Sequence, residues 1–130
     1  MTRSLARIKA ESDDGRAFFG EILEQAPVFT EVIFEEIDYY DELLGHVVMA
    51  RITDEAQRLC REDPDEADID RLLAVLERWF AAHPNDDYVG NVIGVSFIEH
   101  LQPPEAYREL WTRLQTYRTL AKDLNTYFPG

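Results

Sequence analysis

Basic side chains are scarce in this sequence: 13 lysines and arginines stand against 26 acids, a net charge of −13 at pH 7. A polyanion repels the phosphates of nucleic acid and of anionic lipid, so neither is expected as a partner. Cysteine occurs once, at Cys60, which excludes an intramolecular disulfide and any all-cysteine zinc site and suits a reducing, cytoplasmic location. No stretch approaches the about 20 consecutive apolar residues that cross a bilayer. The opening MTRSLARIKA is not followed by the apolar core of a secretory signal. Phosphate-binding loops, the dinucleotide fingerprint, His-Glu-x-x-His and the nucleophile elbow are all missing. Period-two alternation and hairpin dipeptides are missing too, which excludes a β architecture.

What is present is a folded, helical composition. Apolar residues make up 45% of the 130, enough for one domain, residues 1–130, with a core that needs no disulfide or metal. The stretch 86–101, DDYVGNVIGVSFIEHL, is apolar on nearly every side of a helical wheel, through Val89, Val92, Ile93, Val95, Phe97, Ile98 and Leu101. Such a helix belongs at the centre of a domain. Asp86 and Asp87 offer its cap and first-turn acid, and Pro103–Pro104 its stop.

Around it the 3.6-residue period predicts further helices. One follows Ser12-Asp13-Asp14 and carries Phe18, Phe19, Ile22 and Leu23 to a stop at Pro27. A second, capped by Thr30, carries Val32, Ile33 and Ile37. A third opens at Asp41 and runs to about Arg61, with Leu44, Val47, Val48, Ile52, Ala56 and Leu59 inward. A fourth, capped by Asp65 or Asp68, carries Ile69, Leu72, Leu73, Leu76, Trp79 and Phe80 until His83-Pro84-Asn85. The last runs from Pro104 through Tyr107, Leu110, Trp111, Leu114, Tyr117, Leu120 and Leu124. The fold class is therefore all-α, with five to seven helices around the central one. Segments 41–54 and 86–99 align without gaps at an offset of 45 residues, sharing Asp41/Asp86, Gly45/Gly90 and Val47/Val92. That spacing is the one HEAT and armadillo repeats use. Two arrangements stay open: HEAT-like stacked pairs, or an irregular orthogonal bundle.

The acidity is concentrated. Residues 11–70 hold 19 acids against 4 arginines, a balance of −15. Within them Tyr39 and Tyr40 stand among Glu35, Glu36, Asp38, Asp41 and Glu42. Paired aromatics with an acidic rim have the composition of an interface hot spot; core aromatics beside solvated acids have the same composition. Glu42 and His46, four apart, are a candidate metal pair, but no second pair completes it. Glu99 and His100 end the central helix, and Arg108 or Arg113 is the expected ion-pair partner of Glu99. Cys60 has Arg58 and Arg61 within a turn, neighbours that lower a thiol pKa. No catalytic set and no metal set assembles from these residues.

D-Y-Y-D-E-L-L-G-H (38–46) and N-V-I-G-V-S-F-I-E-H-L (91–101) resemble a family of small, uncharacterised bacterial all-helical proteins with D-x-L-x-x-H and S-F-[IL]-E-x-L segments. The resemblance implies a helical fold, bacterial origin and no assigned activity. The expectation is a non-catalytic interaction module without cofactors. Its acidic N-terminal half would bind a basic protein, as an immunity protein binds a basic toxin. Two alternatives remain: a hydrolase or metal-dependent enzyme using Asp38, Asp41, Glu42, His46, Glu99 and His100, and a helical scaffold with no charge-specific partner. Oligomeric state is left open.

Overall fold

A computed structural model describes residues 3–83 and 86–128. Among these the chain is all-α, with seven α-helices and no strand. In order they are α1 (Asp13–Gln25), α2 (Thr30–Tyr40), α3 (Gly45–Glu62), α4 (Ala67–Ala82), α5 (Tyr88–Ile93), α6 (Arg108–Leu114) and α7 (Arg118–Tyr127). A 3₁₀ turn, Pro27–Phe29, precedes α2, and a π-helical turn, Gly94–Ile98, continues α5.

The expected centre is the centre. The segment 88–98 packs against α1, α3, α4 and α7, and Val89, Val92, Ile93, Phe97 and Ile98 are buried. Asp87 caps it, accepting the Tyr88 N–H at 2.7 Å. One expectation fails here. The Glu99 N–H reaches back five residues to the Gly94 carbonyl, 3.0 Å away. The wider turn shifts the phase of the wheel and leaves Val95 41% exposed. The Thr53 hydroxyl on α3 donates to the Ser96 carbonyl at 2.9 Å, supplying that buried group with a partner.

Helix starts are set partly by contacts from afar. Ser12 caps α1 as expected, accepting the Gly15 N–H at 2.8 Å, but Thr30 is already inside α2. Glu66, not Asp65 or Asp68, caps α4. Asp68 instead accepts the Val28 N–H at 2.9 Å, closing the 3₁₀ turn. His83 ends α4; Pro84 and Asn85, read with it as the stop, lie outside the described residues. The predicted start of α3 at Asp41 is also displaced. Asp41 takes the left-handed conformation (φ 58°) as the C-terminal cap of α2, a role aspartate tolerates. The chain then crosses the N-terminal arm, where the Leu43 N–H bonds the Lys9 carbonyl at 2.7 Å. Only at Gly45 does α3 begin, its N–H taken by Glu11 at 2.9 Å.

Gly45 is required by close approach. The Tyr88 ring sits against both Gly15 and Gly45, its hydroxyl donating to Glu11 at 2.6 Å. A Cβ at Gly45 would overlap that hydroxyl and come within 3.2 Å of Val92. Gly45→Ala is expected to cost about 1–2 kcal/mol of stability in denaturant melts.

The displaced start changes the meaning of the 45-residue similarity. Asp41 ends one helix, whereas Asp86 lies in the turn before another, so matched residues are not structurally equivalent.

The expected long last helix is two. Its Pro104 lies in a turn ahead of α6, and α7 restarts at Arg118. Glu77 of α4 caps α7, accepting the Thr119 N–H at 2.9 Å and the Leu120 N–H at 2.9 Å. Burial pushes the Glu77 carboxyl up, but the Thr119 and Leu120 hydrogen bonds outweigh it and hold it below its ordinary 4.5. A depressed folded pKa stabilises fully above the unfolded value, and the benefit fades as pH falls through the folded one. Glu77→Ala should therefore cost about 1 kcal/mol at pH 7. In melts run below about pH 4 its deficit against the parent should shrink.

Candidate interaction site

The site is the C-terminal end of α2. Val32, Ile33, Phe34 and Ile37 face the core, which sends Glu31, Glu35 and Asp38 to the surface. The last inward position is Ile37, and Asp41 turns the chain immediately after Tyr40. The two tyrosines therefore emerge past the end of the buried stripe. Tyr39 is 80% exposed and Tyr40 45%, so neither is a core aromatic. Their rings meet edge to face, centroids 4.8 Å apart and inclined by 73°, a favourable aromatic geometry. With Glu35, Glu36 and Arg51 they line an open depression of about 410 Å³.

Three of the five surrounding acids already have partners in the chain. Arg51 of α3 reaches Glu36 at 2.6 Å and Glu35 at 3.0 Å, bridging α2 to α3. Arg3 forks onto Asp38 at 2.8 and 3.0 Å and lies 4.1 Å over the Phe34 ring. The Arg3 hydrogen bonds hold the Asp38 carboxyl below its ordinary range. The pairs of Arg3 with Asp38 and of Arg51 with Glu35 are solvent-exposed and each contributes little to stability. No ion pair engages Asp41 or Glu42 among the described residues. The roles of Arg3 and Arg51 were not legible in the sequence, because their partners lie 35 and 15 residues away.

The remaining polar candidates scatter. Glu42 lies in the loop before α3, so it does not share a helical turn with His46. The His46 Nδ1 instead sits 2.7 Å from the buried Ser96 hydroxyl. His100 Nε2 is 3.0 Å from Asp54. Glu99 is exposed in a cleft with Val95, Asp123 and Tyr127, and neither Arg108 nor Arg113 pairs with it. Arg113 engages Glu109 at 3.1 Å and Asp70 at 3.5 Å. No hydrogen bond or ion pair joins the 38–46 group to Glu99 or His100 among the described residues.

Cys60 also departs from expectation. Burial pushes its thiol up to about 11, against the opposing pull of Arg113. Arg58 is occupied by Glu55 and Glu62, and Arg61 lies over the Tyr107 ring. Burial therefore wins over the flanking charges.

Residues 19–120, well over half of the chain, match a family model described as a domain of unknown function. No curated protein and no solved structure matches the chain. No helix of the described residues is long and apolar enough to cross a membrane.

Proposed function

The chain belongs to DUF7674, a family described as a domain of unknown function, and from that premise we propose that it is a non-catalytic interaction module. Its partner is a basic protein, and the contact is centred on Tyr39 and Tyr40. The observation that carries this reading is the exposure of the edge-to-face tyrosine pair within an acidic surround. Tyrosine adds contact area with little rotamer entropy to lose, and it is enriched at interfaces. Charge supports the choice of partner. All four arginines of residues 11–70 are engaged internally: Arg16 by the Leu5 and Ile8 carbonyls, Arg51 by Glu35 and Glu36, Arg58 by Glu55 and Glu62, and Arg61 by Glu62 and Tyr107. From outside the segment, Arg3, Arg71, Arg78 and Arg113 pair with its Asp38, Asp68, Glu21 and Asp70; the rest of its −15 balance is left to attract cations from outside. Immunity to a basic toxin is the most concrete form of this activity, with a cytoplasmic protein covering a basic surface.

The test is association kinetics with a partner recovered by affinity capture. Electrostatic steering acts on the association rate and weakens with salt, over a Debye length of about 10 Å at 0.1 M. Charge should be altered at Asp41 and Glu42, because changing Glu35 or Glu36 would also break the Arg51 bridge. Asp41→Asn keeps a residue that tolerates the left-handed conformation. Combined with Glu42→Lys, it should slow association several-fold at low salt and flatten the salt dependence. An acidic partner, or an association rate indifferent to the double substitution, refutes the proposal and reduces the acidity to a solubility device.

A further inference from the structure

Independently of the interaction surface, three ligand-type side chains converge where α1 starts, α4 ends and α5 starts. We propose that Asp14, His83 and Asp87 bind one divalent transition-metal ion of the zinc class. One ligand atom from each residue lies within 4.8 Å of the other two. The three come from different elements, and their positions follow from how those elements begin and end. The Ser12 cap places Asp14 in the first turn of α1. His83 is the residue after α4, its N–H bonded to the Trp79 carbonyl at 2.9 Å. Asp87 is the cap of α5.

Two of the three ligands are oriented without help from a metal. The His83 imidazole stacks on the Trp79 indole, centroids 5.1 Å apart and planes inclined by only 16°. That indole is itself anchored by donating to Glu21. Asp87 is fixed through one oxygen by the Tyr88 N–H, which leaves the other, Oδ2, 2.6 Å from His83 Nδ1. Outer hydrogen bonds and packing of this kind set ligand direction in metal sites. Helix capping accounts for one oxygen of Asp87; it does not account for His83 meeting the other, nor for Asp14 lying within 4.8 Å of both.

The donor set decides the metal. An imidazole with two carboxylates suits zinc and its transition-metal neighbours, whereas magnesium and calcium take oxygen ligands. Tetrahedral bonds of about 2.0–2.1 Å put ligand atoms about 3.3 Å apart. Reaching that geometry requires Asp14, which is exposed, to swing inward and the His83–Asp87 pair to open slightly. No arginine or lysine pairs with Asp14 or Asp87 among the described residues, so their charge is available. The negative end of α4 offsets part of the positive ends of α1 and α5. Three protein ligands leave a fourth position for water.

Melting of the untagged full chain, first stripped of metal, tests the assignment. Zinc at a hundred times its dissociation constant should raise the melting temperature by roughly 10 °C. Asp14→Asn, a change at an exposed first-turn position, should abolish the shift while lowering the metal-free melt by no more than a few degrees, the loss of one first-turn acid. His83→Gln should abolish it too. His46→Ala, whose imidazole faces Ser96, should keep it. Magnesium or calcium at the same concentration should do nothing. The proposal is overturned if zinc neither shifts the melt nor gives heat in calorimetry. It is equally overturned if the shift survives both Asp14→Asn and His83→Gln, if His46→Ala removes it, or if magnesium matches zinc.

Discussion

Replacing Phe97 by alanine is expected to cost about 3–5 kcal/mol of folding stability. The ring is fully buried in the π-helical turn, the part of the chain packed on α3 and α7. Removing it loses the transfer free energy of the ring and leaves a cavity that neighbouring helices cannot fill without moving. Against a total stability of about 5–15 kcal/mol, this one change takes a large share. Arg58→Ala is the matched control. Its ion pairs with Glu55 and Glu62 lie on the wet face of α3, with the arginine side chain 51% exposed, and its loss should stay within about 0.5 kcal/mol. Urea melts of both variants give the comparison. Equal midpoints would mean that the segment 88–98 is not the structural centre.

Tyr40→Ala should weaken binding of the basic partner by about 2 kcal/mol, roughly thirtyfold in dissociation constant. Of the two rings, Tyr40 is the better anchored, 45% exposed where Tyr39 is 80%. Truncation therefore removes its own contact and the edge-to-face support of Tyr39. The loss should appear mainly as faster dissociation and change little with salt, opposite in both respects to the Asp41 and Glu42 substitutions. The melting temperature is measured alongside, because Tyr40 also borders the α2–α3 packing. A change under about twofold in the dissociation constant, with an unaltered melt, removes the tyrosine pair from the interface.

Residues a turn apart determined much of this protein by themselves. The 3.6-residue period of Phe18, Phe19 and Ile22, of Val48, Ile52, Ala56 and Leu59, and of Ile69, Leu72, Leu73 and Leu76 specified helices and their buried faces. It also specified that Val89, Val92, Ile93, Phe97 and Ile98 lie inside, and the acid count of residues 11–70 needed no fold at all. These features survive because burial of one helix face is the largest local driving force, and it is written at spacings of three and four.

The tertiary structure alone decided the rest. A π-turn turned Val95 outward, Asp41 became the end of α2 rather than the start of α3, and Glu77 permitted α7 to start without a cap of its own. Tyr39 and Tyr40 were undecided between core and surface until the length of α2 was known. Arg51 met Glu35 and Glu36 across two helices, and Asp14 met Asp87 across 73 positions. For Glu77, Arg51 and Asp14 the partner is distant along the chain, so no local spacing encodes it. A cap, an ion pair or a shifted turn contributes only about 1 kcal/mol, too little to specify a contact before packing brings the groups together.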